Sequence, residues 1–232
     1  MAWVAQEFAF LLEKSGLNNS KVIGDVWFDD VTVTIPQQQP LWEAEIGNFE
    51  NAFDIWVLGG SGTGVKGDYV RDTTEFKSGA YSGKLSADFS AGGNNVTLGR
   101  SFSPAMDMQK LEFWVKTADA SVILLLVKDS TGQVHQQKLF LSPTNDWQKI
   151  EVFQFNAGTS YLHYNGANDG IWHGPAQELA FMVEKSGLIG GKTSGDIYFD
   201  NVVATSSCRT CRSSSLKWVM SSWQTSLQPS RL

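Results

Sequence analysis

The chain has 232 residues, 42% of them apolar and 12% aromatic, which is enough to bury one large core or two small ones. Its formal net charge of −6 argues against nucleic acid or an anionic membrane as a partner, since both require clustered basic residues. With 22 glycines and only 18% charged residues, the composition favours a β-rich protein with many turns.

The first element of the chain is a partial copy of its last one. Residues 5–34 align without a gap with residues 176–205, and 17 of these 30 positions are identical. Solenoid repeats reach about 50 residues, whereas this offset of 171 residues is the length of a whole domain. We therefore predict that residues 1–34 are the C-terminal strand pair of a truncated preceding module.

This organisation divides the rest of the chain into a linker, a module and a tail. The proline-containing residues 35–42 are predicted to be the linker, and residues 43–205 a complete module. Since the orphan strands in residues 1–34 have no module of their own to cover their apolar face, we expect them to promote self-association. Residues 206–232 are serine-rich and contain a lone C-x-x-C, so they are interpreted as a disordered or foreign tail.

Short strand-like runs separated by turns follow one another through the module. Residues 111–117 alternate between apolar and polar, and residues 121–129 form an apolar run typical of a buried strand. A turn at Asp129–Gly132 then predicts a hairpin with residues 133–141, and residues 142–147 are predicted to be another turn. Without a helical period between them, these strands predict an all-β fold, a two-sheet antiparallel β-sandwich of jelly-roll type.

Five segments of the module carry a family resemblance, in the order NFENAFDIW, SGAYSGKLS, LEFWVKT, DWQKIEV and GDIYFDNV. They resemble the β-jelly-roll carbohydrate-binding modules of secreted bacterial polysaccharide-degrading enzymes, most closely family 11, with relatives in families 4, 16, 22 and 27. The resemblance implies a non-catalytic module that binds a β-linked polysaccharide of β-glucan or mannan type and targets a parent glycoside hydrolase to it. It also implies secretion, although the N-terminal residues do not form a signal peptide.

The same resemblance implies a structural calcium ion. In these families an aspartate in the last strand, here Asp200, and a glutamate in the first, here Glu50, hold calcium together with oxygens of the loop around Ser78. Calcium takes six to eight oxygen ligands, and a glycine-containing loop can supply carbonyls. The alternative is a turn-capping aspartate with a solvated glutamate.

Aromatic and amide side chains suit sugars, since a flat ring covers the C–H face while polar groups bond the hydroxyls. The glycine-rich loop of residues 161–174 combines both kinds, with Trp172 and Tyr164 as the expected platform. Trp147 is expected in the core instead. The full set of predicted ligand-binding residues is Trp172, Tyr164, Trp56, His173, Asn168, Asp169, Trp114, His135 and Gln137.

No catalytic pattern accompanies these residues in the sequence. Jelly-roll glucanases need two carboxylates about 5–9 Å apart, and neither their strand motif nor a nucleophile elbow is found. The G-x-G-x-x-G at residues 62–67 is not followed by a helical pattern, so it is interpreted as a loop. The remaining alternative to a binding module is a structural or adhesive spacer without a glycan ligand.

Overall fold

The computed structural model describes residues 41–51 and 55–207, which contain twelve β-strands and a single 3-10 turn at Lys185–Gly187. The predicted preceding copy, most of the linker and nearly all of the tail lie outside the described residues. Among the described residues, no helix is long and apolar enough to span a membrane. The strands are β1 Leu41–Gly47, β2 Val57–Ser61, β3 Lys66–Asp72, β4 Ser82–Asp88, β5 Asn95–Met106, β6 Met108–Thr117, β7 Val122–Lys128, β8 Val134–Phe140, β9 Thr144–Val152, β10 Leu162–Tyr164, β11 Ala176–Glu184 and β12 Ser194–Ser207.

These strands form two six-stranded sheets with antiparallel pairing throughout. Sheet A has the order β3-β4-β12-β6-β9, and β1 also pairs with the long β12. Sheet B has the order β10-β8-β7-β11-β5-β2. The prediction of an all-β, two-sheet antiparallel sandwich is confirmed.

The core lies between the two sheets and is built from alternate residues of each strand. Strand β6 shows this pattern clearly, since Leu111, Phe113 and Val115 are buried while their neighbours are partly exposed. Phe181 of sheet B stacks on Phe199 of sheet A with ring centroids 4.4 Å apart, and its ring lies 4.7 Å from that of Phe113. Aromatic contacts across the layers therefore hold the two sheets together.

Several boundaries differ from those predicted. Strand β1 begins at Leu41, inside the predicted linker, and β12 continues to Ser207, so the module extends two residues beyond 43–205 at each end. Residues 144–147, predicted to be a turn, belong to β9. The β7–β8 hairpin is confirmed by its register from Val122↔Phe140 to Lys128↔Val134.

The two strands that recur at the N-terminus lie in different sheets of the described module. Strand β11 is central in sheet B, between β7 and β5, and β12 is central in sheet A. In the copy that the structure describes, these two strands are therefore not paired with each other. Each of the two needs neighbours from elsewhere in its own sheet.

The burial of two tryptophans, Trp56 and Trp147, is the reverse of that predicted. Trp56 is only 6% exposed and is stacked between Phe49 and Phe181, with ring centroids 5.7 and 5.8 Å away. It cannot present a ring to a ligand, so its place in the predicted platform is wrong. Trp147, expected in the core, is partly exposed on the edge strand β9.

Candidate functional site

A groove of about 380 Å³ crosses the outer face of sheet B. All six strands of the sheet contribute to its lining. One lining residue from each strand, from β2 at one edge to β10 at the other, is Val57, Thr97, Glu178, Lys128, Val134 and Tyr164.

The floor of the groove is a row of small and aliphatic side chains. Backbone register aligns four lining residues on adjacent strands, namely Leu126, Ala180, Gly99 and Val57. On β8 and β10 the row continues with Gln136 and Leu162, which do not line the groove. Ala180 and Gly99 occupy the middle of this row and have the shortest side chains. The surface is therefore lowest there, which makes a groove instead of a flat sheet.

A second row runs beside the floor and carries most of the polar groups. Register places Tyr164 next to Val134, then Lys128, Glu178 and Ser101 on successive strands. Four strand spacings of about 4.8 Å make this row about 19 Å long. Lys128 donates to Glu178 over 3.1 Å, and both side chains remain partly exposed. The groove thus combines an apolar floor with a polar edge.

Tyr164 is the one predicted ligand-binding residue that lines this groove. Its side chain is 37% exposed at the β10 end of the polar row. Partial burial raises the pKa of its phenol, which therefore stays a neutral hydroxyl that can donate a hydrogen bond.

His135 and Gln137 lie on the opposite side of sheet B. They share a face of β8, as expected, but that face points into the sandwich and leaves them 1% and 7% exposed. The outward residues of β8 include Val134, which lines the groove, and Gln136 beside it. The prediction that His135 and Gln137 contact a ligand is therefore wrong.

The structure does not bring Trp172 together with Tyr164. The Trp172 indole is half-buried and packs on Phe155, with centroids 5.1 Å apart, and its edge meets the ring of His135 at 5.2 Å. Since His135 faces inward, Trp172 covers the end of the core and is not part of the groove lining.

The polar residues of the 161–174 loop bond mainly to one another. Asn168 pairs with His163 at 3.1 Å. Asp169 pairs with His173 at 2.9 Å and also accepts from the backbone amide of Ile171. These side chains are exposed or partly exposed, and their contacts fix the shape of the loop.

Trp114 lies on the outer face of sheet A, away from the groove. The ammonium of Lys77 sits 4.0 Å from the centre of its ring, a cation–π contact that covers one face of the indole. Beside it, Lys110 and Lys149 form a network of ion pairs with Glu112 and Glu151. This charged face is a solvated surface on the opposite sheet from the groove, so Trp114 does not join the predicted residues of sheet B.

The outer face of sheet A also carries a larger cavity of about 890 Å³. Its lining is polar and lacks an aromatic ring, and several of its charged groups are already paired, such as Asp119 with Lys192. The groove on sheet B has the apolar floor that a sugar ring or another amphipathic ligand needs. We therefore take that groove, although it is smaller, as the candidate binding site.

A buried carboxylate in the β7–β8 turn anchors the loop beside the groove. Asp129 is fully buried and accepts hydrogen bonds from the amides of Thr131, Gln133 and His173, and from the ring of His135. Burial alone would raise its pKa, but the bonds from the Thr131 hydroxyl, the His135 ring and the backbone amides outweigh that effect and hold the pKa at about 2.

Replacing Asp129 with asparagine should make the protein less stable above pH 4 and less sensitive to acid below it. Because the folded-state pKa lies below the ordinary 3.8, the carboxylate stabilises the fold fully above that value, by about 2 kcal/mol, and loses this as pH falls through about 2. Urea unfolding of both proteins between pH 2 and 6 measures the difference. Asp146→Asn, at an exposed position, is the control, and equal pH dependence in Asp129→Asn and the wild type would contradict the assignment.

The predicted calcium residues converge on one loop. Asp200 is fully buried and accepts from the amides of Lys77 and Ser78, at 2.7 and 3.0 Å. Glu50 accepts from the amides of Ala80 and Tyr81, both at 2.9 Å. The loop thus turns N–H groups toward both carboxylates, whereas its carbonyls were expected to face a metal.

The charges of this pair nevertheless suit a cation. Burial raises the pKa of Asp200, and the neighbouring charge of Glu50 raises it further, although backbone amides oppose the shift. Among the described residues, no group of three or more histidine, cysteine, aspartate or glutamate side chains is placed to hold a metal. A calcium ion would therefore need loop oxygens or water beside the two carboxylates.

Comparison with known proteins relates the chain to others by fold. No protein-family model and no curated protein matches the sequence. The family 11 carbohydrate-binding module of the cellulosomal cellulase Lic26A-Cel5E of Clostridium thermocellum is 15% identical, with a TM-score of 0.53 over 72% of this chain and 95% of that one. A family 11 module of that organism in complex with a β-1,3-1,4-mixed-linked tetrasaccharide is also 15% identical, with a TM-score of 0.53 over 71% and 96%.

A more distant structure is the CBM22-1 xylan-binding domain of Paenibacillus barcinonensis Xyn10C, 12% identical, with a TM-score of 0.42 over 73% of this chain and 97% of that one. Identities this low relate proteins by fold alone. In architecture, the described part of the chain is a β-jelly roll like that of the family 11 carbohydrate-binding modules.

Proposed function

We propose that this protein is a non-catalytic module that binds a β-linked polysaccharide in the groove on sheet B. The observation that carries the proposal is the groove itself, in which an apolar row on four strands lies beside a polar row about 19 Å long. A β-glucan is the favoured ligand, since a module of the same fold was solved with a mixed-linked glucan tetrasaccharide.

The two rows contact different parts of the sugar. The C–H faces of the sugar rings lie on the floor around Leu126 and Ala180, where apolar area is removed from water. The hydroxyls exchange hydrogen bonds with Lys128, Glu178 and Tyr164. Lys128 and Glu178 together carry no net charge, which suits a neutral glycan.

The number of carboxyl groups in the groove argues against catalysis. Glycoside hydrolysis generally requires two carboxyl groups flanking the bond, and within the described residues the groove has one, Glu178. We infer that the module serves a secreted parent glycoside hydrolase by holding it on its substrate. The alternative, a structural spacer, has no use for a groove of this composition.

Affinity electrophoresis separates these two functions. The chain is run in native gels that contain a soluble β-glucan, mannan or xylan, with a non-binding protein as reference. We expect retardation by mixed-linked β-glucan above the others. Unchanged mobility in every gel would reject the binding function and favour the spacer.

We also propose that Glu50 and Asp200 hold a structural calcium ion with oxygens of the residue 77–81 loop. The support is that two carboxylates meet at one loop, and that the buried one has a raised pKa. Calcium would offset their repulsion and join the end of β1 to β12. It would not contact the groove, which lies on the other sheet.

Chelation with EDTA should therefore lower the melting temperature without abolishing saccharide binding. A ligand that binds only the folded state stabilises it by mass action, so its removal costs stability. Calorimetry in calcium and in EDTA measures the shift, and Asp200→Asn should be insensitive to either. If the wild-type melting curve is the same in both buffers, Glu50 and Asp200 do not form a calcium site.

The repeat leads to a proposal on organisation. We infer that residues 1–34 end a preceding copy, since they match strands β11 and β12, which need neighbours from their own sheets. Removing residues 1–38 should leave binding unchanged and reduce self-association, because all the strands of the two described sheets lie between Leu41 and Ser207. Light scattering and gel retardation of both chains check this. Loss of folding in the shortened chain would show that the domain boundary is wrong.

A further inference from the structure

His135 occupies an unusual position for a titratable group. Its ring is buried on the inward face of β8, between the carboxylate of Asp129 at 3.1 Å from Nε2 and the hydroxyl of Tyr161 at 2.7 Å from Nδ1. Ionised Asp129 can only accept, so Nε2 must carry a hydrogen. In the neutral ring, Nδ1 is then the acceptor of the Tyr161 O–H.

A second proton on His135 would reverse this hydrogen bond. Nδ1 would become a donor to the Tyr161 oxygen, and the hydroxyl hydrogen would have to turn to another acceptor. The carbonyl oxygen of Gly170 is 3.5 Å from the hydroxyl, at the long limit of a hydrogen bond. Protonation would therefore leave the Tyr161 hydroxyl with only this long, weak hydrogen bond to Gly170 unless the loop shifts.

Tyr161 immediately precedes β10, the strand that carries Tyr164 into the groove. This strand has three residues and pairs only with β8 at the edge of sheet B. Such a short edge strand has few backbone hydrogen bonds of its own. Its position also depends on the contacts that flank it. Among them are the bond from the Lys138 amide to the Thr159 carbonyl and the Tyr161 hydroxyl before it, and the bond from the Ala167 amide to the Thr131 hydroxyl after it.

Within the described part of the chain, Asp129 is the charged side chain that contacts the His135 ring directly. Packed against His135 are the amide of Gln133 at 3.2 Å, the phenol ring of Tyr161 and the indole edge of Trp172. The titratable groups one contact further out are Asp169, His163 and His173.

We propose that His135 is the positioning residue of the Tyr164 end of the groove. Neutral His135 accepts from Tyr161 and holds β10 in the binding position, and protonated His135 disturbs that position, so saccharide binding weakens as the pH falls. This inference rests on the proposed function, because it assigns a regulator to the same groove.

Nuclear magnetic resonance of the full chain without ligand tests the positioning step. The chain has three histidines, so the variants His163→Asn and His173→Asn assign the ring signals. We expect the backbone amide of Tyr164 to shift in step with His135 titration, also when both exposed histidines are replaced. In Tyr161→Phe, which lacks the hydroxyl, that coupling should be lost.

Two outcomes of this titration overturn the proposal. One is a Tyr164 amide that follows only the exposed histidines or does not respond at all. The other is a His135 ring that stays neutral until the protein unfolds, since its protonation could then not control binding.

Binding of mixed-linked β-glucan at a pH on each side of the His135 titration tests the consequence. We expect affinity to be about five- to tenfold weaker on the acid side, a typical coupling between two sites, and to vary much less in Tyr161→Phe. Equal affinity on both sides, with Tyr164 shifting, rejects control of binding by His135. If no glycan binds at either pH, the proposed function fails, whereas the ligand-free titration still decides the positioning role.

Discussion

Replacing Trp56 with alanine should lower the free energy of unfolding by about 3–5 kcal/mol, the range for removing a large aromatic side chain from a core. The indole is stacked between Phe49 and Phe181, so alanine would leave a cavity and remove two aromatic contacts. Urea unfolding followed by circular dichroism measures the loss. Trp56→Phe should recover most of it, because a smaller ring still fills part of the space.

Trp147→Ala is the matched control, since this tryptophan is partly exposed on the edge strand β9. It should cost clearly less than Trp56→Ala, because a half-exposed side chain buries less apolar area. Equal losses in the two variants would contradict the placement of Trp56 in the core. Retention of glycan binding by folded Trp56→Phe would further separate this residue from ligand contact.

The strands that could be predicted from the sequence are those with strong contrast between their two faces. In β6, Leu111, Phe113 and Val115 alternate with polar residues, and alternation of this kind determines which face is buried. The apolar run of β7 followed by a glycine-containing turn likewise predicts the hairpin with β8. These local patterns depend only on residues close in sequence.

Strand β8 shows where this reasoning fails. Gln136 and Gln137 follow His135, so both faces carry polar groups and alternation cannot say which one is inside. The inward face became acceptable only because Asp129 and Tyr161 satisfy the imidazole. Those partners come from a turn and a loop, and their approach depends on the tertiary structure.

The burial of Trp56 and the partial exposure of Trp147 could not be predicted, for a similar reason. Each stands at the start of a strand-like run, and neither run has a periodicity that distinguishes core from surface. Trp56 is buried because Phe49 and Phe181 reach it from two other parts of the chain. Phe181 lies 125 positions from Trp56 in the sequence, and a contact at that separation leaves no local pattern.

The groove was missed for the same physical reason. Its floor is low because Ala180 of β11 and Gly99 of β5 stand side by side, although 81 positions separate them in the sequence. Tyr164 was predicted as a ligand-binding residue because it is an aromatic residue in a glycine-rich loop, and the structure places it in the lining of the groove. Lys128 and Glu178 carried no such signal, and only strand register brings them together.

Filling the low point of the floor should abolish glycan binding while leaving the fold intact. Ala180 is half-buried on the outer face of sheet B and lines the groove. Ala180→Ile adds a β-branched side chain that suits a strand and occupies the space of a sugar ring, so affinity should fall at least tenfold. Tyr164→Ala should cost about 2 kcal/mol, or roughly 30-fold, as removal of a binding hot spot does. Isothermal titration with mixed-linked β-glucan oligosaccharides measures both.

The matched control adds bulk to the other sheet. Val70 is exposed on β3 of sheet A, so Val70→Ile should leave both affinity and melting temperature unchanged. Ala180→Ile should keep the wild-type melting temperature within a few degrees, because its added atoms face outward and displace no core residue. If Ala180→Ile and Tyr164→Ala remain folded and bind every glycan as the wild type does, the groove is not the binding site. Trp172 and the remaining residues of the 161–174 loop would then become the stronger candidate, since the exposed side chains of that loop can bond hydroxyls beside an aromatic ring.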